Sequence, residues 1–328
     1  MTSPAFSLLD SVMLLGSANS TADAEALHLL GLTPQLWPWQ NQTLATAFVA
    51  PPIAEQPLAE RLVWLLEQLQ QQSSAFNQQQ VYLVLPEQVG IDDSHLNTLL
   101  QLLMQRMPAL LMAPGCRVFP YGSAGALMAL NAAVQCMQQT PQRSSDIWLV
   151  AVDSLAHDSV IAGYSTTQRQ SFVLSEGVIA LHIGANECNH ILFHAADASA
   201  GAAPDQDSAI ASLFLQLAQQ AKQPLAQLYL PDCGDDVQSS RWLQQYAQLH
   251  GAVDAQTELL FPSYASGELG ACGGMYRLWY LLSRIQRGEI TGQVAQLEIS
   301  ARQYRALTVF SPGAEPNVAS HNSVNKDV

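Results

Sequence analysis

Five cysteines, eight histidines and a few hydroxyls and carboxylates are the residues through which this 328-residue chain could do covalent, acid–base or metal chemistry. The cysteines are Cys116, Cys136, Cys188, Cys233 and Cys272; they are scattered, odd in number and form no CxxC pair. That spacing implies neither a disulfide framework nor a structural zinc site. A lone thiol is more often a small buried hydrophobe than a nucleophile, and this is the default for Cys233 and Cys272. Cys188, His190 and His194 share one face if their segment is a strand, yet the spacing is not that of a zinc site, and no metal is expected. His28, His95, His157, His182, His250 and His321 form no constellation. Glu176 and Glu268 invite a paired-carboxylate reading. Ser123 could be a nucleophile only with a base beside it, and no histidine is placed by motif to serve; capping or packing is its simpler role. There is no P-loop and no dinucleotide fingerprint, and Gly122-x-x-Gly125 is not a phosphate cradle by itself, so no cofactor is expected.

The segment best suited to position such groups is 120–137, PYGSAGALMALNAAVQCM. Small residues fill almost every side of its start: Gly122, Ser123, Ala124, Gly125, Ala126, Ala129, Ala132 and Ala133. A helix apolar all round is buried all round. Small side chains let neighbouring backbones come close, so the N–H groups of its first turn are expected inside the protein.

The remaining pattern supplies a frame. Short apolar runs at 81–85, 147–152, 178–183, 191–194, 227–230 and 307–310 suit strands covered on both faces. Between them, 58–70 carries Leu62, Leu65, Leu66 and Leu69 on one stripe, 208–222 carries Ile210, Leu213, Phe214 and Leu217, and 242–249 adds another helical stretch. Strands alternating with helices predict an α/β architecture. Residues 195–208, rich in Ala, Gly, Asp and Pro, read as a loop. The polar segment 312–328 has no periodicity, and 313–328 is expected to be a disordered tail.

Bulk properties exclude several function classes. Hydrophobic residues make up 48% and charged residues 12%, which requires a large buried interior. Formal net charge is −14, and no basic run of five residues occurs, so neither a nucleic-acid nor an anionic-membrane surface is expected. The apolar patch 6–16 is interrupted by Asp10 and lacks a preceding basic region, which makes a poor signal peptide. No stretch approaches about 18 uninterrupted apolar residues, so no membrane span is expected and the chain reads as cytoplasmic.

Four landmarks follow one another along the chain. Tyr121-Gly122-Ser123-Ala124-Gly125 opens the small-residue helix. Asp146-Ile147-Trp148-Leu149-Val150-Ala151-Val152-Asp153-Ser154 is the next strand. Phe172-Val173-Leu174-Ser175-Glu176-Gly177-Val178 leads into another. Ser266-Gly267-Glu268-Leu269-Gly270-Ala271-Cys272-Gly273 precedes a long helix, 275–287. In this order they resemble the β-ketoacyl-ACP synthases of the thiolase superfamily, which open such a buried helix with a nucleophilic cysteine and carry, after a similar strand, a Phe-x-x-Gly-Glu-Gly-Ala turn and a Gly-His-x-x-Gly-Ala-x-Gly segment. The resemblance covers about 75–310. It implies a thiolase-like five-layered α-β-α-β-α fold of two pseudo-repeated halves, 1–190 and 191–312, and a homodimer in which 116–120 would be the pairing edge strand.

The same resemblance implies that the catalytic Cys-His-His set is gone. The nucleophile position falls on Gly122, the first histidine on Cys233, and the second on Gly267 or its neighbour Glu268. Without a nucleophile and the two polarising groups, Claisen condensation by the family mechanism is not expected. Ser123 is the fallback nucleophile, and the residue matching Glu176 is structural in the family. The main expectation is a non-catalytic binding protein, a scaffold or an adaptor and chaperone, including one for a bacterial type VI secretion effector. The alternative is an accessory ketosynthase-like subunit of the chain-length-factor type, pairing with a synthase or acyl carrier, or an atypical acyltransferase acting on acyl-ACP or acyl-CoA.

Overall fold

A computed structural model of the chain describes residues 5–39, 42–53, 56–73, 75–87, 93–113, 115–139, 146–157, 161, 172–199, 207–234 and 236–313. Its strands are β1 (Ala5–Leu15), β2 (Gln35–Trp39), β3 (Gln42–Ala47), β4 (Val81–Val84), β5 (Arg117–Phe119), β6 (Asp146–Ser154), β7 (Leu174–Ala198), β8 (Gln227–Tyr229), β9 (Glu258–Leu260), β10 (Val294–Ile299) and β11 (Tyr304–Pro312). The helices among the described residues are α1 (Thr21–Leu30), α2 (Leu58–Gln72), α3 (Asp93–Arg106), α4 (Pro108–Met112), α5 (Ala124–Gln139), α6 (Ser208–Gln220), α7 (Asp236–Leu243), α8 (Ser263–Ser266) and α9 (Ala271–Gln286).

One strand organises the rest. Around the first part of β7 the order is β1-β7-β6-β4-β5; from its last part it is β7-β11-β10-β8-β9. The polarities repeat as well: two antiparallel pairings followed by two parallel ones in each set. β7 is therefore the second strand of the first set and the first strand of the second. The apolar runs 178–183 and 191–194, expected as two strands, are parts of this one strand, and the expected division at 190/191 falls inside it.

Side-chain alternation builds the layers. Along β6, Ile147, Leu149 and Ala151 enter a central core with α5 and α9, while Trp148, Val150 and Val152 enter an outer core with α2 and α3. In the second set, Leu228, Ala295, Leu297, Leu307 and Val309 pack outward against α6 and the segment around Trp242. Two helices, α5 and α9, thus lie between the sheets, with further helices outside each: the five-layered α-β-α-β-α fold. Strands buried on both faces need apolar residues at consecutive positions, which is why β6 reads as an unbroken run.

Several elements depart from the sequence pattern. The patch 6–16 is β1, paired antiparallel with β7 from Ala5 to Leu15. The stretch 242–249 is not one helix: α7 ends at Leu243 and a short 3-10 turn spans Tyr246–Leu249. Part of the expected loop 195–208 is the end of β7; its residues 200–206, and 314–328 of the expected tail, lie outside the described residues. Among the described residues no helix is long and apolar enough to cross a membrane.

Candidate functional site

The head of α5 is the first element of the site. The chain enters it from β5, and the Gly122 N–H donates to the carbonyl of Leu85, the residue after β4, at 3.1 Å. Gly122 has φ +62°, a conformation that costs an L-residue roughly 1–2 kcal/mol. A methyl group there would lie 2.9 Å from Ser300 Oγ and 3.0 Å from Ser300 Cβ. The Ser300 hydroxyl accepts from the Ala124 N–H at 2.9 Å and donates to the Tyr121 carbonyl at 2.6 Å. Ser300, distant in sequence, therefore caps this helix end, and of the two roles expected for Ser123, capping or packing, the second is left to it. Ser123 itself is buried, and its hydroxyl has no hydrogen-bond partner among the described residues; it is a small packing residue there.

Ser300 comes from the tight connection between β10 and β11. Glu87 is buried and accepts from the consecutive N–H groups of Arg302, Gln303 and Tyr304 at 2.7, 2.8 and 3.3 Å. Arg305 donates to the carbonyls of Ser300 and Tyr304, each at 2.9 Å, and to Asp207 at 2.9 Å. Asp207 also accepts from Ile210 N–H and so caps α6. Burial pushes the Arg305 guanidinium below its ordinary value, and Asp207 opposes that.

The second element surrounds Cys233. Its thiol donates to Glu268 Oε2 at 3.3 Å, and Glu268 Oε1 accepts from the Gly270 N–H at 2.9 Å. Of the two residues that could match the second histidine, Glu268 faces Cys233. Gly267 instead packs on the start of β7, where a methyl would meet Ser175 Oγ and the Val173 carbonyl, both at 2.6 Å. α9 links the two elements. Gly274 abuts the Ser123 carbonyl, and one turn on, Arg277 interacts electrostatically with Glu268 and Cys233. Arg277 is buried and bonded to Glu298 and to Ser263. Burial lowers its affinity for a proton, but Glu298 outweighs this and holds it above its ordinary value.

Asp153 stands at the N-terminus of α9. It accepts from Ala271 N–H at 2.6 Å and Ser154 N–H at 2.7 Å, and a methyl on Gly270 would come within 2.1 Å of Oδ2. Burial pushes its carboxyl up to about 7; the two N–H groups pull it back in part, and Glu268 and Glu176 add to the rise. Glu176 is fully buried and accepts from Arg61, from the Ser154 hydroxyl and from Val49 N–H. That is the geometry of a structural hub. Cys272 donates to the Gly177 carbonyl at 3.1 Å, and burial raises its thiol well above the ordinary range, opposite to what a nucleophile needs.

The other sequence candidates lie elsewhere. His194 is on β7, bonded through Nδ1 to Thr308 Oγ1 at 2.8 Å, and burial pushes it down to about 4. Cys188 is exposed. Among the described residues no three His, Cys, Asp or Glu side chains converge to hold a metal ion. Glu87, Arg277, Glu298 and Ser300 were not legible as site residues. Glu298 alone of these lies within β10, where period two puts it with Gln296 on the same face as Val294.

No family model and no curated protein matches the sequence. Solved structures do match. The PfaC keto synthase–chain length factor aligns at TM-score 0.65 and 12% identity over 95% of this chain and 43% of that one, so the chain spans less than half of that protein. A β-ketoacyl synthase from Burkholderia phymatum STM815 aligns at TM-score 0.66 and 10% identity over 95% and 100%. The ketosynthase ApeO in complex with its chain length factor ApeC from Xenorhabdus doucetiae contributes a chain at TM-score 0.58 and 11% identity over 94% and 98%. The chain has the thiolase-like fold, in its β-ketoacyl synthase-like form.

Proposed function

We propose that this protein is a non-catalytic, ketosynthase-like accessory subunit of the chain-length-factor type, acting beside an active synthase. The observation that carries the reading is at Gly122. The position matching the family nucleophile has no side chain, has φ +62°, and has its side-chain space taken by Ser300. Cys233 and Glu268, in the places we assign to the two histidines, form a thiol–carboxylate pair, where the family would carry imidazoles to polarise a thioester. Ketosynthase and chain length factor structures among the similar folds support this reading over that of an adaptor for a secretion effector. β5 ends the strand order, and its exposed edge is where we place the pairing with the synthase or with a second copy.

The test has two arms. The wild-type chain is incubated with octanoyl-CoA and examined by intact mass, and it is separately co-expressed with candidate synthases from its native host. The expected result is no acyl adduct and a stable complex with one synthase. Stoichiometric acylation at one residue, or recovery of a toxin instead of a synthase, would overturn the reading.

A further inference from the structure

We propose that residues 300–304 form a self-supplied plug for the N-terminus of α5, seated by Ser300 and latched by Glu87. The inference rests on the accessory-subunit reading and adds how the vestigial site is kept shut.

The first turn of a helix presents N–H groups with no acceptor inside the helix, and in a pocket such groups are a ready place for a ligand oxygen. Here the Ala124 N–H is already given to the Ser300 hydroxyl, whose own hydrogen goes to the Tyr121 carbonyl. One side chain satisfies a donor and an acceptor at the helix head. It also fills the volume that a side chain at Gly122 would need. The plug is therefore complementary to this helix end in hydrogen bonding and in shape.

The turn that carries Ser300 is gripped from two sides. Glu87, 6% exposed, follows β4 and takes three successive N–H groups of the turn. Arg305, fully buried, takes the carbonyls of Ser300, Arg302 and Tyr304 and is anchored on Asp207. The Tyr304 ring meets the Tyr121 ring edge to face at 4.7 Å. Glu87 belongs to the first strand set and Arg305 to the second. The latch thus ties the two sets together over the head of α5. Charge-assisted bonds to buried groups are the strong ones, and breaking one strands a buried charge.

The experiment is amide exchange on the full chain, read by mass spectrometry on peptides covering 121–127 and 300–305. Glu87→Gln keeps the size and removes the charge. It is expected to speed exchange in both peptides together, by about tenfold, as for a lost charge-assisted hydrogen bond. Ser300→Ala removes one oxygen and leaves the latch, and it is expected to speed exchange in 121–127 only. This second variant keeps the test intact if Glu87→Gln fails to fold. The proposal is overturned if 121–127 stays protected when 300–305 is released, or if Ser300→Ala leaves 121–127 unchanged. Acylation of the wild-type chain would sink the accessory-subunit reading, whereas the exchange result sinks the plug alone.

Discussion

Gly274 of α9 stands directly against the backbone carbonyl of Ser123 at the head of α5, so close that a methyl group on Gly274 would lie 2.2 Å from that oxygen and 3.1 Å from the Ala126 methyl. The two central helices meet backbone to backbone at this point, and the small residues of both are what allow it. Gly274→Ala must part the helices or bend one of them. A loss of ~1–3 kcal/mol or more is expected from overpacking, read as a lower urea midpoint with an unchanged slope.

A cysteine at Gly122, the position we propose for the family nucleophile, will not form a thioester. Gly122→Cys is strained by φ +62° and collides with Ser300. A loss of roughly 1–3 kcal/mol and no thioester with octanoyl-CoA are expected. Gly122→Cys with Ser300→Gly should recover part of the stability because the collision is gone while the backbone strain stays. Thermal melts of the three proteins, with intact mass for acylation, check both statements; a thioester on either variant contradicts them.

Glu176 is expected to matter for stability alone. Its carboxylate neutralises Arg61, which is itself buried, and Glu176→Ala strands that guanidinium. The expected cost is about 3–5 kcal/mol. Equilibrium denaturation measures it; a variant as stable as wild type would mean that the ion pair is not what anchors the start of β7.

Asp153 makes stability depend on pH with a definite sign. Its folded-state carboxyl is raised to about 7 from its ordinary value of 3.8, chiefly by burial, so between these values the folded protein holds a proton that the unfolded chain has released. The penalty is fully present above about pH 7 and is relieved as pH falls toward about 4. At about 1.4 kcal/mol per pKa unit it amounts to a few kcal/mol. The difference between wild type and Asp153→Asn, followed by denaturation from pH 4 to 8, should therefore slope in favour of wild type at low pH. A flat difference would show Asp153 to be ionised throughout.

Thiol reactivity separates the cysteines. Cys188 is exposed, Cys116 and Cys136 are half-buried, and Cys233 and Cys272 are buried. A thiol reagent should modify Cys188 first and reach Cys233 and Cys272 only on unfolding. Fast labelling of Cys233 in the folded protein would revive it as a nucleophile.

Much of this was legible in the residues and some was not. The runs at 81–85, 147–152 and 227–230 and the stripes of α2 and α6 stood out because strands and helices buried in a layered core carry apolar residues at their own period. β10 did not, because Gln296 and Glu298 interrupt its apolar run. They are buried polar groups made tolerable by Arg277 and the Gly274 carbonyl, partners supplied by another element. β7 was split in two because its apolar residues pause near 184–190, where its partner changes from β1 and β6 to β11.

Local pattern alone determined the α/β class of fold and the buried small-residue helix; the place of Gly122 at the family's nucleophile position rests on the resemblance and is part of the proposal. The first two depend on residue type and on spacing along one chain segment. Tertiary structure decided what stands around the head of α5: Ser300 at Gly122, Glu268 rather than Gly267 opposite Cys233, and Glu87 holding the turn that carries Ser300. Residues 87, 122 and 300 come together only because the layers bring the ends of β4 and β10 to the head of α5. Hydrogen bonds across such sequence distances leave no periodic trace for a sequence to show.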